Sequence, residues 1–135
     1  MIIDTSALLA YFDTAEPDHQ AVTRIIERSN ELLVISPYVV AEVEYLVATR
    51  VGVEAELTVL RELSTGAWEL ASFGVPELKQ AVSVITKFYD QRIGVADASN
   101  VVLADRYGTR RIVTLDHRHF SVLRPISGGR FSVAP

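Results

Sequence analysis

The stretch Met1-Ile2-Ile3-Asp4-Thr5-Ser6-Ala7-Leu8-Leu9 decides how the chain is read. Three apolar residues open it without a polar lead-in, and an aspartate then interrupts an otherwise apolar segment. Ile2-Ile3 reads as a short buried strand, and Ser6 to Phe12 as the start of a helix. Asp4 then stands at the carboxyl end of a strand, where open α/β sheets hold their ligands. Asp, Ser and Thr are also good helix N-caps, and on this stretch alone capping is the favoured role for Asp4. The choice turns on whether other carboxylates reach the same edge.

Outward from this stretch, strands and helices alternate. A helix is expected from about Asp18 to Ser29, with Val22, Ile25 and Ile26 as its buried stripe. Leu32-Leu33-Val34-Ile35 is a continuous apolar run of the kind found in a central parallel strand. Ser36-Pro37 ends it as an N-cap followed by proline at the first helical position. Further helices are expected from Tyr38 to about Arg50, from about Glu54 to Leu63, from Glu77 to about Tyr89 and from Asp97 to Tyr107. Ala67–Ala71 reads as a third strand, Arg111–Asp116 as a fourth, and Arg130–Val133 as a short edge strand; Asp90–Gly94 reads as a loop. The fold class is α/β: one domain over residues 1–135, a central, mostly parallel sheet of four or five strands, and helices on both faces.

Composition fits that class. A chain of 135 residues can bury about two thirds of its surface, and 49% hydrophobic residues describe a filled core rather than a disordered binder. There is no cysteine, which excludes disulfides and thiolate metal sites. No charged leader with a cleavage site is visible, and no apolar window of about 20 residues could span a bilayer, so a cytoplasmic, soluble protein is expected. The net charge of −4 is uneven: residues 1–86 carry 13 acids and 5 bases, residues 87–135 carry 4 acids and 8 bases. Such asymmetry allows a local anion-binding face on an acidic protein, although the arginine-rich base content is equally a matter of composition.

Most acids belong in water, so an acid on an apolar face needs a reason. Asp97 lies in the first turn of its helix, on the arc shared by Asn100, Val101, Leu103 and Ala104 at 100° per residue. A lone buried carboxylate costs several kcal/mol unless it is paired or binds a cation; placement in the first turn also suits a structural cap. Asp116 ends the run Ile112-Val113-Thr114-Leu115, as Asp4 ends Ile2-Ile3, and could equally cap the turn His117-Arg118-His119-Phe120. Glu42 and Glu44 lie on opposite edges of one aliphatic arc, and the helical wheel does not choose between them. Carboxylates gathered at one sheet edge could not all stay ionised without a cation. Oxygen ligands without cysteine suit Mg²⁺ or Mn²⁺ and metal-assisted phosphodiester hydrolysis.

Four segments in this order, Ile2-Ile3-Asp4-Thr5-Ser6, Ser36-Pro37-Tyr38-Val39-Val40-Ala41-Glu42, Asp97-Ala98-Ser99-Asn100 and Thr114-Leu115-Asp116-His117-Arg118-His119-Phe120, resemble the PIN-domain ribonucleases, and more closely the VapC-type toxins of bacterial toxin–antitoxin pairs. The resemblance implies an acidic quartet of Asp4, Glu42, Asp97 and Asp116. Asp4 and Asp97 would be direct metal ligands, Glu42 and Asp116 ligands directly or through water, and Ser6 and Asn100 supporting polar residues. It also implies bound Mg²⁺, with Mn²⁺ as the alternative, cleavage of tRNA or a ribosomal RNA loop to leave a 5′-phosphate, a homodimer, and a VapB-type antitoxin whose tail crosses the active-site groove. The Val53/Leu57/Leu60 face or the first helix would offer the antitoxin an apolar contact. Arg92, His117, Arg118 and His119 are placed as the residues that would meet RNA phosphates.

Three rivals stand beside this reading. His117 and His119 could belong to a zinc site or a metal-free two-histidine ribonuclease, which would survive chelation. A receiver-like domain shares the fold class but needs a lysine at a late strand end, and the only lysines are Lys79 and Lys87. A non-catalytic partner-binding domain would leave the buried acids unexplained.

Overall fold

A computed structural model describes residues 1–135. β1 (Ile2–Ile3) lies in the middle of a five-stranded sheet of order β3-β2-β1-β4-β5, formed with β2 (Val34–Ile35), β3 (Glu69–Leu70), β4 (Arg111–Val113) and β5 (Ser132–Ala134). Every pairing is parallel: Ile2 is in register with both Val34 and Ile112, and Ile3 with Val113. The parallel α/β class expected from the sequence is therefore the observed one. The paired segments are shorter than the apolar runs that signalled them, and the edge strand is shifted to Ser132–Ala134.

Successive strand residues point to opposite faces, and this sorts the core into two layers. Ile3, Ile35 and Val113 pack with α1 (Thr5–Phe12), α2 (His19–Glu27), α3 (Pro37–Arg50) and α4 (Val53–Leu63), chiefly through Leu8, Val22, Val39, Val43 and Val59. Ile2, Val34 and Ile112 pack on the other side against α5 (Val75–Lys87), α6 (Val95–Arg106) and α7 (His117–Val122), through Ala81, Val84, Val101, Phe120 and Leu123. Each such aliphatic side chain contributes roughly 1.5–3 kcal/mol when fully buried.

α6 is not the one-faced helix that its wheel suggested. Ala98 to Ala104 are all buried, and only the last turn, Asp105 and Arg106, is exposed. A helix enclosed on all sides has little freedom to shift, so the residue it carries at its start is held firmly against the sheet. Ser36 caps α3 as its sequence suggested, its Oγ accepting from the Tyr38 N–H at 3.1 Å. The expected loop at residues 90–94 includes part of a 3₁₀ turn, Tyr89–Gln91, closed by Arg92 in the left-handed conformation at φ 51°. The expected turn after Asp116 is a six-residue helix, α7. No helix is long and apolar enough to cross a membrane.

Candidate active site at the carboxyl edge of the sheet

Asp4 leaves the end of β1 with 5% of its surface exposed. Its backbone occupies the N-cap position of α1, but its side chain makes no cap hydrogen bond. The carboxylate turns inward instead. Oδ1 accepts from Asn100 Nδ2 at 2.9 Å, and Oδ2 accepts from Thr114 Oγ1 at 2.7 Å and from Ser6 Oγ at 3.1 Å. Ser6 Oγ in turn accepts from the Leu115 N–H at 2.9 Å, and Thr114 Oγ1 from the Asp116 N–H at 3.0 Å. One carboxylate thus ties together β1, α1, α6 and the exit of β4. Burial holds its pKa above the usual carboxylate range and the Glu42 charge adds to this, while the hydrogen bonds from Thr114 and Ser6 act in the opposite direction.

Asp97 is the third residue of α6. Burial, then the neighbouring Asp4 charge, push its pKa up to about 6; Asp116 and Glu42 add to the rise and His119 opposes it. Carboxylates that raise one another in this way share one site. Asp116 follows β4 and caps α7, its Oδ1 accepting from the His119 N–H at 3.2 Å. Capping and membership of the acidic group therefore coexist in Asp116. Glu42, on α3, accepts from Thr5 Oγ1 at 2.6 Å and faces this group. Glu44 points elsewhere: it shares a hydrogen bond with Glu56 that lifts the Glu56 carboxyl above its usual range. The geometry separates two glutamates that the helical wheel leaves equal.

Two hydroxyls that sequence reasoning passed over belong to the site. Thr5 holds Glu42, and Thr114 is the closest partner of Asp4. Both looked like ordinary helix-start and strand residues. The only local signal is that Thr114 is a polar residue, fully buried in the structure, two positions before an acid. Among the basic residues, His117, Arg118 and Arg92 are exposed, with Arg92 on the loop that leads into α6. His119 is turned inward, Nδ1 lying 3.0 Å from Asp97 Oδ2 and 3.1 Å from Asp116 Oδ2.

An apolar cleft of about 660 Å³ opens beside the acids. It runs from Ser6 and Leu115 past Leu9 and Phe12 of α1 to Leu46 and Val47 of α3 and Val59 of α4. The first helix is thus one wall of it. Val53, Leu57 and Leu60, the alternative apolar face, do not line it, because α4 turns Ala55, Thr58 and Val59 toward the cleft.

The donor chemistry fits a hard divalent cation. The candidate ligands are carboxylates, their negative charges raise the Asp97 pKa, and Asn100 Oδ1 is a buried acceptor oxygen with no hydrogen-bond partner. No three of the acidic and histidine side chains are drawn together tightly enough to define a metal position by themselves.

A five-stranded parallel sheet with acids gathered at its carboxyl edge defines the class, and the comparison with known families gives it a name. The PIN domain family model matches residues 1–124, and the chain belongs to that family. Among curated proteins it is similar to Ribonuclease VapC26 of Mycobacterium tuberculosis, with 71% identity over 135 residues covering 100% of both chains. Among solved structures it shares its fold with Mycobacterium tuberculosis VapC20, described as a sarcin–ricin loop cleaving toxin, at a TM-score of 0.84 and 16% identity over 99% of this chain and 98% of that one. The fold also recurs in the DNA-bound VapBC complex of Salmonella typhimurium, with a TM-score of 0.72 and 16% identity over 98% and 96% of the two chains.

Proposed function

We propose that this chain is a divalent-metal-dependent endoribonuclease and the toxin of a toxin–antitoxin pair, with residues 1–135 acting as one PIN domain. The observation that carries the reading is the buried Asp4 carboxylate, both oxygens held by Asn100, Thr114 and Ser6 at the carboxyl edge of the sheet, with the neighbouring Asp97 carboxyl raised by burial and by the Asp4 charge beside it. Such a group is costly as it stands and becomes favourable when a cation enters it. The 71% identity to a protein named as a ribonuclease supports the same chemistry.

Asp4 and Asp97 would hold the metal, Mg²⁺ or alternatively Mn²⁺, with Glu42 and Asp116 completing the set directly or through water. When bound, the cation activates water and steadies the leaving oxygen of the phosphodiester. The chain's own residues do the positioning. Thr114, Ser6 and Asn100 fix both oxygens of Asp4, and Thr5 turns Glu42 into the group. Exposed His117 and Arg118 follow Asp116 in the chain and exposed Arg92 lies on the loop leading into α6; these three would meet the phosphates of a tRNA or ribosomal RNA loop in the cytoplasm.

The cleft between α1, α3 and α4 begins at Ser6, beside Asp4, and suits the apolar tail of a VapB-type antitoxin, which would block the acids from there. We further propose a homodimer. The exposed Val75, Leu78 and Val82 recur along one side of α5 and form the sort of apolar stripe that a second copy would cover.

The test is cleavage of total RNA by the purified protein, with 5′-phosphate ends mapped for the wild type and for Asp97→Asn. The expected result is discrete Mg²⁺-dependent ends that vanish with EDTA, in Asp97→Asn and in Asp4→Asn. Undiminished cleavage by the metal-stripped protein would overturn the proposal.

A further inference from the structure

The inward ring of His119 has no task in the cleavage chemistry proposed above. Nδ1 lies 3.0 Å from Asp97 Oδ2 and 3.1 Å from Asp116 Oδ2, yet it is buried without an aligned hydrogen-bond partner. It is wedged between the two carboxylates rather than committed to one. The same residue donates its backbone N–H to Asp116 Oδ1 at 3.2 Å. His119 therefore lies against both oxygens of Asp116 and one of Asp97.

Its placement is built in. Phe120, the next residue, is 2% exposed and packs edge-on against Phe131 with ring centroids 6.1 Å apart. This anchors α7 and keeps the His119 ring inside. The Asp116 side chain has no comparable anchor: it is 40% exposed, and the only hydrogen bond to its carboxylate comes from the His119 backbone. Without the ring it would be free to swing toward solvent. With 16% of its side chain accessible, His119 has little surface left for RNA.

We propose that His119 is a positioning residue whose Nδ1 sets the spacing of the Asp97 and Asp116 carboxylates and so keeps the outer half of the acidic site ready for a divalent cation. The inference rests on the metal-site reading above. It assigns His119 to the acids rather than to the RNA.

The test is Mn²⁺ binding followed by electron paramagnetic resonance without RNA, together with kcat and KM for RNA cleavage, in wild type, His119→Ala, His119→Asn and His119→Gln. An Asn amide can place its N–H near the position of Nδ1, whereas Gln carries it further out. Loss of a group that orients metal ligands weakens metal binding about 10- to 100-fold. That loss is expected for His119→Ala and His119→Gln, with a comparable fall in kcat and an unchanged KM, while His119→Asn recovers most of both.

A raised KM with unchanged Mn²⁺ affinity would overturn the inference in favour of an RNA contact. Tighter Mn²⁺ binding in His119→Ala would overturn it too, showing that the ring only obstructs the cation. Equal rescue by Asn and Gln would remove the positional argument, and it can be read even if the alanine variant does not fold. Because binding is measured without RNA, a wild type that binds Mn²⁺ but cuts no RNA refutes the proposed activity and leaves the role of His119 to be decided by the affinities. A wild type that binds no Mn²⁺ overturns both.

Discussion

Asp97→Asn should make the protein more stable while removing its proposed activity. Burial and three neighbouring acids raise the Asp97 carboxyl from 3.8 to about 6. At about 1.4 kcal/mol per unit, the ionised side chain costs the fold up to about 3 kcal/mol. Because 18% of the side chain is accessible, solvent screening brings this to about 2 kcal/mol. The folded chain binds this proton more tightly than the unfolded chain does. The associated stability is therefore fully present below pH 3.8, is lost as the pH rises toward about 6, and is absent above that. Asparagine has no such dependence.

Urea unfolding in EDTA, followed by circular dichroism, measures the difference. At pH 7.5 the variant should exceed the wild type by about 2 kcal/mol, or about 6–10 °C in Tm for a chain of this size. At pH 4 the two should agree within about 0.5 kcal/mol. Mn²⁺ added at pH 7.5 should stabilise the wild type alone and narrow the gap by mass action. A variant no more stable than wild type at pH 7.5, or a gap that is the same at both pH values, would refute the reasoning.

Three further predictions concern the surroundings of this site. Thr114→Val removes the closest partner of Asp4 and the acceptor for the Asp116 N–H; it should cost about 1–3 kcal/mol in urea unfolding and lower cleavage, whereas Thr114→Ser should stay near wild type. Glu42→Gln should abolish cleavage and Glu44→Gln should leave it intact, because only Glu42 is turned toward the acids by Thr5; equal effects in a cleavage assay would break that assignment. Arg92 holds φ at 51° on an exposed loop, so Arg92→Gly should gain up to about 1 kcal/mol in Tm measurements by relieving the left-handed strain. The same variant should raise KM for RNA if the guanidinium meets phosphate.

How much of this was legible in the chain depended on whether the signal was local. Ile2-Ile3 and the runs before Ser36 and Asp116 announced parallel strands because buried strands are apolar on both faces, and the Ser36-Pro37 pair marked a helix start by its own chemistry. Asp4 and Asp116 were visible as acids at strand ends. The strand lengths were not legible, since an apolar run continues into the packed turn beyond the last ladder hydrogen bond. Nor were the roles of Thr5 and Thr114, whose partners lie 37 and 110 positions away along the chain. Threonine is as much at home in a strand as beside a carboxylate. His119 looked like part of a solvated basic turn; only the burial of Phe120 shows which way α7 rolls and therefore which side of the turn faces the acids.

The central place of β1 bears on how the chain is made. Its two neighbours pair through Val34 and Ile112, so β1 acquires its second partner only after more than a hundred further residues have been made. At about 5–20 residues per second, that is a wait of roughly 5–20 s. Throughout it the apolar segment has at least one open edge, and Asp4 lacks Thr114. A growing chain therefore carries the acid without the pocket, and in that interval its interest to the cell lies with chaperones and proteases. The constellation around Asp4 closes only once Asn100 and Thr114, 96 and 110 positions further along, have been made.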